Sequence, residues 1–135
     1  MLDVPTLKAL CAPVFQHHPS LRTAILFGST ARGTRNAGSD VDVAVVGEGT
    51  DVLGLSAELA RVLQCEVDVV EVNDQSSIPL LRAIIQDGHT LYERGHGEAT
   101  EFRRRALTVL DLDGPGYDRM MTRFLARVAR RGVGP

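Results

Sequence analysis

Two short segments carry residues whose types and spacing could do chemistry together. Gly28-Ser29 presents a backbone position without a Cβ, then a hydroxyl and a backbone N–H. A phosphate can approach a glycine backbone closely. If a helical turn starts there, its unpaired N–H groups add an anion site. The segment is not the Walker phosphate loop, because no Gly-Lys-Ser/Thr follows. Asp40 comes eleven residues after Ser29, and Asp42 follows it at a spacing of two. On a strand that spacing puts both carboxylates on one face. Two carboxylates side by side repel unless a cation sits between them. Hard oxygen donors suit Mg²⁺, which commonly takes one or two carboxylates plus substrate phosphate. Asp68 is a third acid, in the next expected strand. If that strand neighbours the first, the three acids can form a two-metal site of the kind that stabilises both attacking and leaving oxygens at phosphorus.

Each element alone has a plainer reading. Gly28-Ser29 could be a strand-to-loop turn, and Asp40 and Asp42 could be solvated strand-edge acids. Asp68 has rivals in Glu66, on the same expected face, and Glu71, on the opposite one. Asp68 is preferred because it lies inside the apolar run Val67–Val70, where an unpaired carboxylate would be costly.

The elements that must position these residues follow from periodicity. Residues 6–16 read as a helix capped by Thr6, with Leu7, Leu10, Val14 and Phe15 on one face. Residues 22–27, 40–46 and 65–72 read as strands, and 51–63 and 77–87 as helices. Ser77 caps the last of these, Pro79 sits in its first turn and Gly88 stops it. His89–Glu93 adds a short strand. Two further helices, about 96–110 and 117–131, are expected on either side of Asp113-Gly114-Pro115-Gly116. Strands separated by helices make an α/β (α+β) fold with one small mixed sheet, flanked by helices and followed by a helical tail. One domain spans 1–135, with a core at about 20–93 and a C-terminal extension at about 96–131.

Composition narrows the partners. The chain of 135 residues carries 15 basic and 17 acidic side chains, a net charge of −2, which excludes a uniformly basic nucleic-acid coat. The two halves differ. Residues 1–93 carry 6 basic and 12 acidic side chains, net −6; residues 94–135 carry 9 arginines and 5 acids, net +4. With no Trp, an aromatic platform for single strands is not expected. No apolar run approaches a membrane span, and no secretion signal opens the chain, so a cytoplasmic location is expected. Cys11 and Cys65 read as free thiols. The four histidines show no metal spacing. Arg35 reads as a surface loop residue. Arg119, Arg123 and Arg127 recur every four residues and line one helical stripe.

Gly-Ser, ten intervening residues, then Asp-x-Asp resembles the active-site pattern of the DNA-polymerase-β-type nucleotidyltransferase superfamily. The fuller match is to its small members, the minimal nucleotidyltransferases. Gly28, Ser29, Ala31, Arg32, Gly33, Ser39, Asp40 and Asp42 stand in register with their pattern. Leu81-Arg82, Ile85, Gly88 and Leu91-Tyr92 resemble the family's later helix and final strand. The resemblance covers about residues 20–93 and only loosely the tail. It implies transfer of a nucleoside monophosphate from ATP, or another NTP, to a hydroxyl, with release of pyrophosphate. Gly28 and Ser29 would hold phosphates, and Arg32 would either neutralise phosphate charge or pin the loop. Asp40 and Asp42 would ligate two Mg²⁺, and Asp68 would bind the second metal and orient or deprotonate the acceptor hydroxyl. It further implies a protein partner, a HEPN-family ribonuclease toxin AMPylated on tyrosine, with this chain as a type VII-like antitoxin. Two alternatives stay open: transfer to an aminoglycoside-like small molecule, and neutralisation by complex formation without catalysis. Template-directed polymerisation is disfavoured by the negative charge and by the lack of template-gripping domains.

Overall fold

The computed structural model describes residues 3–33 and 40–131. Arg35 and Ser39 lie outside the described residues. The chain runs α1 (Val4–Gln16), β1 (Thr23–Phe27), α2 (Gly28–Arg32), β2 (Val41–Val46), α3 (Val52–Leu63), β3 (Val67–Glu71), α4 (Ile78–Asp87), β4 (His89–Glu93) and α5 (Glu98–Arg131). The four strands form one mixed sheet in the order β3-β2-β1-β4. β1 pairs antiparallel with both β2 and β4, and β2 pairs parallel with β3. A parallel pair needs a long crossover, and α3 supplies it.

Alternation along the strands sorts two cores. Val41, Val43 and Val45 of β2, with Ala24 and Leu26 of β1, face α1 and α3 and pack on Leu7, Phe15, Leu55 and Leu59. Ile25 and Ala44 face the other way and pack on Leu81 and Ile84 of α4 and on Phe102 and Ala106 of α5. The central strands are covered on both faces, which explains their nearly unbroken apolar sequences.

Helix ends follow local chemistry with two departures from expectation. Asp3, not Thr6, caps α1: its carboxylate accepts the Thr6 backbone N–H at 2.9 Å. Leu10 is 42% exposed, and Cys11 takes its place in the core. Asp51 caps α3, and Ser77 caps α4 as expected. Gly88 ends α4 in an extended conformation and not in a left-handed one. Its value is close approach, since a Cβ there would strike the Ile84 carbonyl and the Ile25 side chain.

The larger departure is α5, which is one helix of 34 residues running through Pro115. Gly and Pro at 113–116 argue locally for a break, because Pro removes an N–H and crowds the preceding turn. Tertiary contacts override this. Gly114 is buried against α4, where a Cβ would lie 3.2 Å from the Arg82 guanidinium. Arg82 donates both ends of its fork to Asp118 at 2.8 Å, one turn beyond the proline.

Arg94 closes the far end of the fold. It donates to the carbonyls of Leu21 at 2.9 Å and His18 at 2.8 Å, and its guanidinium lies 5.7 Å from the Tyr92 ring centre. Cys11 and Cys65 are both free thiols. Burial, with Cys65 nearby, pushes the Cys11 thiol up to about 11.

Leu59, fully buried, tests the layered core against surface propensity. Leu59→Ala is expected to cost about 2–5 kcal/mol in urea unfolding. Leu53→Ala, at a position 84% exposed on the same helix, should stay within about 0.5 kcal/mol.

Candidate active site

The three acids meet at one end of the sheet. Asp40 directly precedes β2, Asp42 is its second residue, and Asp68 is the second residue of β3. Parallel register sets Asp42 opposite Asp68, so both side chains leave the same face of the sheet. On its other side Asp42 pairs with Phe27, the last residue of β1, and the chain turns there into α2. Gly28 opens that turn at φ +79°, a left-handed conformation that favours glycine. A Cβ on Gly28 would overlap the Asp42 carboxylate. The absence of a side chain is what lets the Gly28 backbone lie against Asp42.

The electrostatics are those of crowded like charges. Burial raises the Asp42 carboxyl above the ordinary carboxylate range, Asp68 and Asp40 raise it further, and Arg32 pulls it back. Asp68 is also raised, first by a hydrogen bond with Asp40 and then by that residue's charge. Desolvation and like-charge proximity both penalise the ionised form. A hard divalent cation reverses that penalty, and an all-oxygen donor set fits Mg²⁺. Among the described residues, no group of three His, Cys, Asp or Glu side chains is arranged to hold a metal ion unaided.

Asp68 is exposed, contrary to the burial expected from its apolar neighbours. The reason is topological: β3 is an edge strand, so Val67 reaches the core while Asp68 faces solvent at the sheet's end. Asp42, on a central strand, is the more desolvated of the pair. Glu66 precedes β3, and Glu71 sits at its opposite end.

Arg32 ends α2 and donates to Asp87 at 2.9 Å. The pair ties α2 to the last turn of α4 while leaving the Arg32 charge near Asp42. Asp87 has no local sequence signal for this role, because the ion pair joins residues 55 apart. A recess of about 520 Å³ lies at the other end of the sheet, lined among others by Arg22, Gly47 and Asn73. It contains none of the three acids.

Comparison with known proteins gives the family and the fold. The polymerase beta nucleotidyltransferase family model matches residues 10–96. A protein adenylyltransferase MntA of Aphanizomenon flos-aquae is 29% identical over 121 residues, spanning 77% of this chain and 80% of the relative. A putative protein adenylyltransferase of Methanocaldococcus jannaschii is 36% identical over 85 residues, spanning 60% of this chain and 88% of the relative. Among solved structures, a toxin–antitoxin with AMP-PNP superposes with a TM-score of 0.67 at 23% identity, covering 84% of this chain and 98% of that one. An MntA–HepT toxin–antitoxin superposes with a TM-score of 0.63 at 19% identity, over 93% of this chain and 97% of that one. At such identities the structural likeness carries the fold. The family match runs from α1 through β4 and so encloses the Gly28 turn and all three acids. The chain belongs to the polymerase beta nucleotidyltransferase family, in its minimal branch.

Proposed function

We propose that this chain transfers AMP from ATP to a hydroxyl of a protein acceptor, a tyrosine of a HEPN-type toxin, and so acts as the antitoxin of a pair in the cytoplasm. The observation that carries the reading is the register of Asp42 against Asp68 beside a glycine turn with no Cβ to block a phosphate. The names of the relatives support the acceptor class. MntA of Aphanizomenon flos-aquae and of Shewanella oneidensis are protein adenylyltransferases, and a solved structure holds a tri-AMPylated Shewanella oneidensis HEPN toxin with an MNT antitoxin.

Gly28 and Ser29 take the β- and γ-phosphates, through backbone N–H groups and the Ser29 hydroxyl. Arg32, held at the edge by Asp87, adds positive charge on the phosphate side. Asp40, Asp42 and Asp68 are the residues that would hold Mg²⁺. Two such ions, when bound, would neutralise charge on the attacking and leaving oxygens. The acceptor oxygen attacks the α-phosphorus; the new P–O bond forms as the bond to the bridging oxygen breaks, and pyrophosphate leaves with that electron pair. Asp68 accepts the hydroxyl proton. Its exposure on an edge strand lets a bulky acceptor reach it.

The test is the intact mass of a HEPN toxin after incubation with the chain, ATP and Mg²⁺. Addition of adenylate is the expected result. An unmodified toxin, under conditions where the Shewanella relative modifies it, would overturn the reading. Asp42→Asn should lower transfer about 100-fold or more. Its melting temperature without metal should not fall, because the substitution relieves repulsion. Gly28→Ala should lower both stability and nucleotide binding, since it adds left-handed strain of about 1–2 kcal/mol and a clash with Asp42. Gly33→Ala, at φ +75° with nothing within 4 Å of the added methyl, should show only the strain in thermal melts.

A further inference from the structure

Helix α5 leaves the body of the protein past Gly114. Its buried residues, Ala99, Phe102, Ala106 and Gly114, all precede Pro115. From Pro115 to Arg131 no residue is buried, and beyond Asp118, which Arg82 of α4 holds, the helix runs on for roughly 20 Å. The projecting part is patterned for a partner. Tyr117, Met121, Phe124 and Val128 recur at i, i+4, i+7 and i+11, the spacing of a coiled-coil seam. Met120 and Leu125 flank that seam at 54% and 58% exposure, and Phe124 is 47% exposed. A second stripe of Arg119, Arg123 and Arg127 lies about a third of a turn round the helix, with Met120 between the two. On the arginine side of the helix lies a recess of about 350 Å³, lined by Gly116, Arg119, Met120, Arg123 and Arg127. Gly116 makes room for an incoming side chain: the Arg119 guanidinium, 3.8 Å away, is the near neighbour of the Cβ it lacks.

Charge decides the occupant. Residues 117–131 carry five arginines and one acid, Asp118, which is turned back onto Arg82. Arg119, Arg123 and Arg127 form no ion pair with a described residue. Pairing two copies of this surface would oppose like charges. A bare polyanion would engage the arginines and leave the apolar seam in water. An amphipathic helix with an apolar seam and acidic flanks, lying over the exposed Met120 and Phe124, borders the apolar seam on one side and the arginine stripe on the other. We propose that the distal half of α5 is the docking surface for the acceptor protein and takes an acidic amphipathic helix of that partner. The proposal rests on the reading that the acceptor is a protein.

A fluorescent synthetic helix with leucines along one seam and glutamates beside it, titrated into the full chain, tests the surface by anisotropy. Binding is expected, and should weaken roughly tenfold in R119E/R123E/R127E and in M121S/F124S while surviving in R119K/R123K/R127K. Circular dichroism checks that each variant keeps its helix content. Equal binding by all variants would overturn the proposal. So would failure to bind the peptide with capture by phosphatidylserine vesicles instead, or self-association abolished by the same substitutions. Binding of a fluorescent ATP analogue with Mg²⁺, followed in the same proteins, separates the two readings. Loss of peptide with nucleotide retained is expected of the charge-reversed chain. A native chain that binds peptide but no nucleotide refutes the catalytic reading and leaves the docking surface standing.

Discussion

Asp42 and Asp68 sit in register on adjacent parallel strands, with Asp40 one step before the first, and their mutual repulsion is the constraint on which the rest of the site depends. Three carboxylates in such proximity oppose folding in the absence of a cation. The sheet overcomes that opposition with apolar burial on both faces of β1 and β2. The same arrangement leaves the acid end with an unmet demand for positive charge. On the proposed reading a metal–nucleotide complex would meet it, because the phosphates would bring further oxygen ligands to the ion. Affinity for substrate and instability of the bare site are two sides of one electrostatic fact.

Neighbouring elements are set by that demand. Gly28 brings backbone against Asp42 where any side chain would collide. Arg32 supplies the nearby positive charge, and Asp87 anchors it without removing it. Asp42 is partly desolvated on a central strand, whereas Asp68 stands exposed on an edge strand. On the proposed reading the inner acid would hold a cation and the outer acid would meet the acceptor. The division follows from strand order alone. α5 extends the logic outward: its first half packs on α4 beneath the sheet, and its second half projects with a basic face that the acidic body does not need.

Much of this was legible in the sequence, and the failures are physical. The strands and helices α1, α3 and α4 announce themselves by period, the one-turn α2 could only be stated as a condition, and the Gly-Ser and Asp-x-Asp segments carry the family pattern in a single stretch. The neighbouring of β2 and β3 could only be stated as a condition, because strand order is not encoded in local pattern. For the same reason the apolar run around Asp68 suggested burial, although an edge position exposes it. The unbroken α5 was missed because Gly114 and Pro115 are breakers by local rules. Their setting against α4 and the Arg82–Asp118 pair outweigh those rules. Asp87 and Arg94 act across long sequence separations and leave no local signal.

The central claim is that the three acids bind nucleotide only together with a divalent cation. Isothermal titration of the chain with a non-hydrolysable ATP analogue, once with Mg²⁺ and once with a chelator, addresses it directly. Binding that requires Mg²⁺ is the predicted result. Equal affinity with and without the metal would contradict the account, since it would mean that the phosphates are held without relieving the repulsion among Asp40, Asp42 and Asp68.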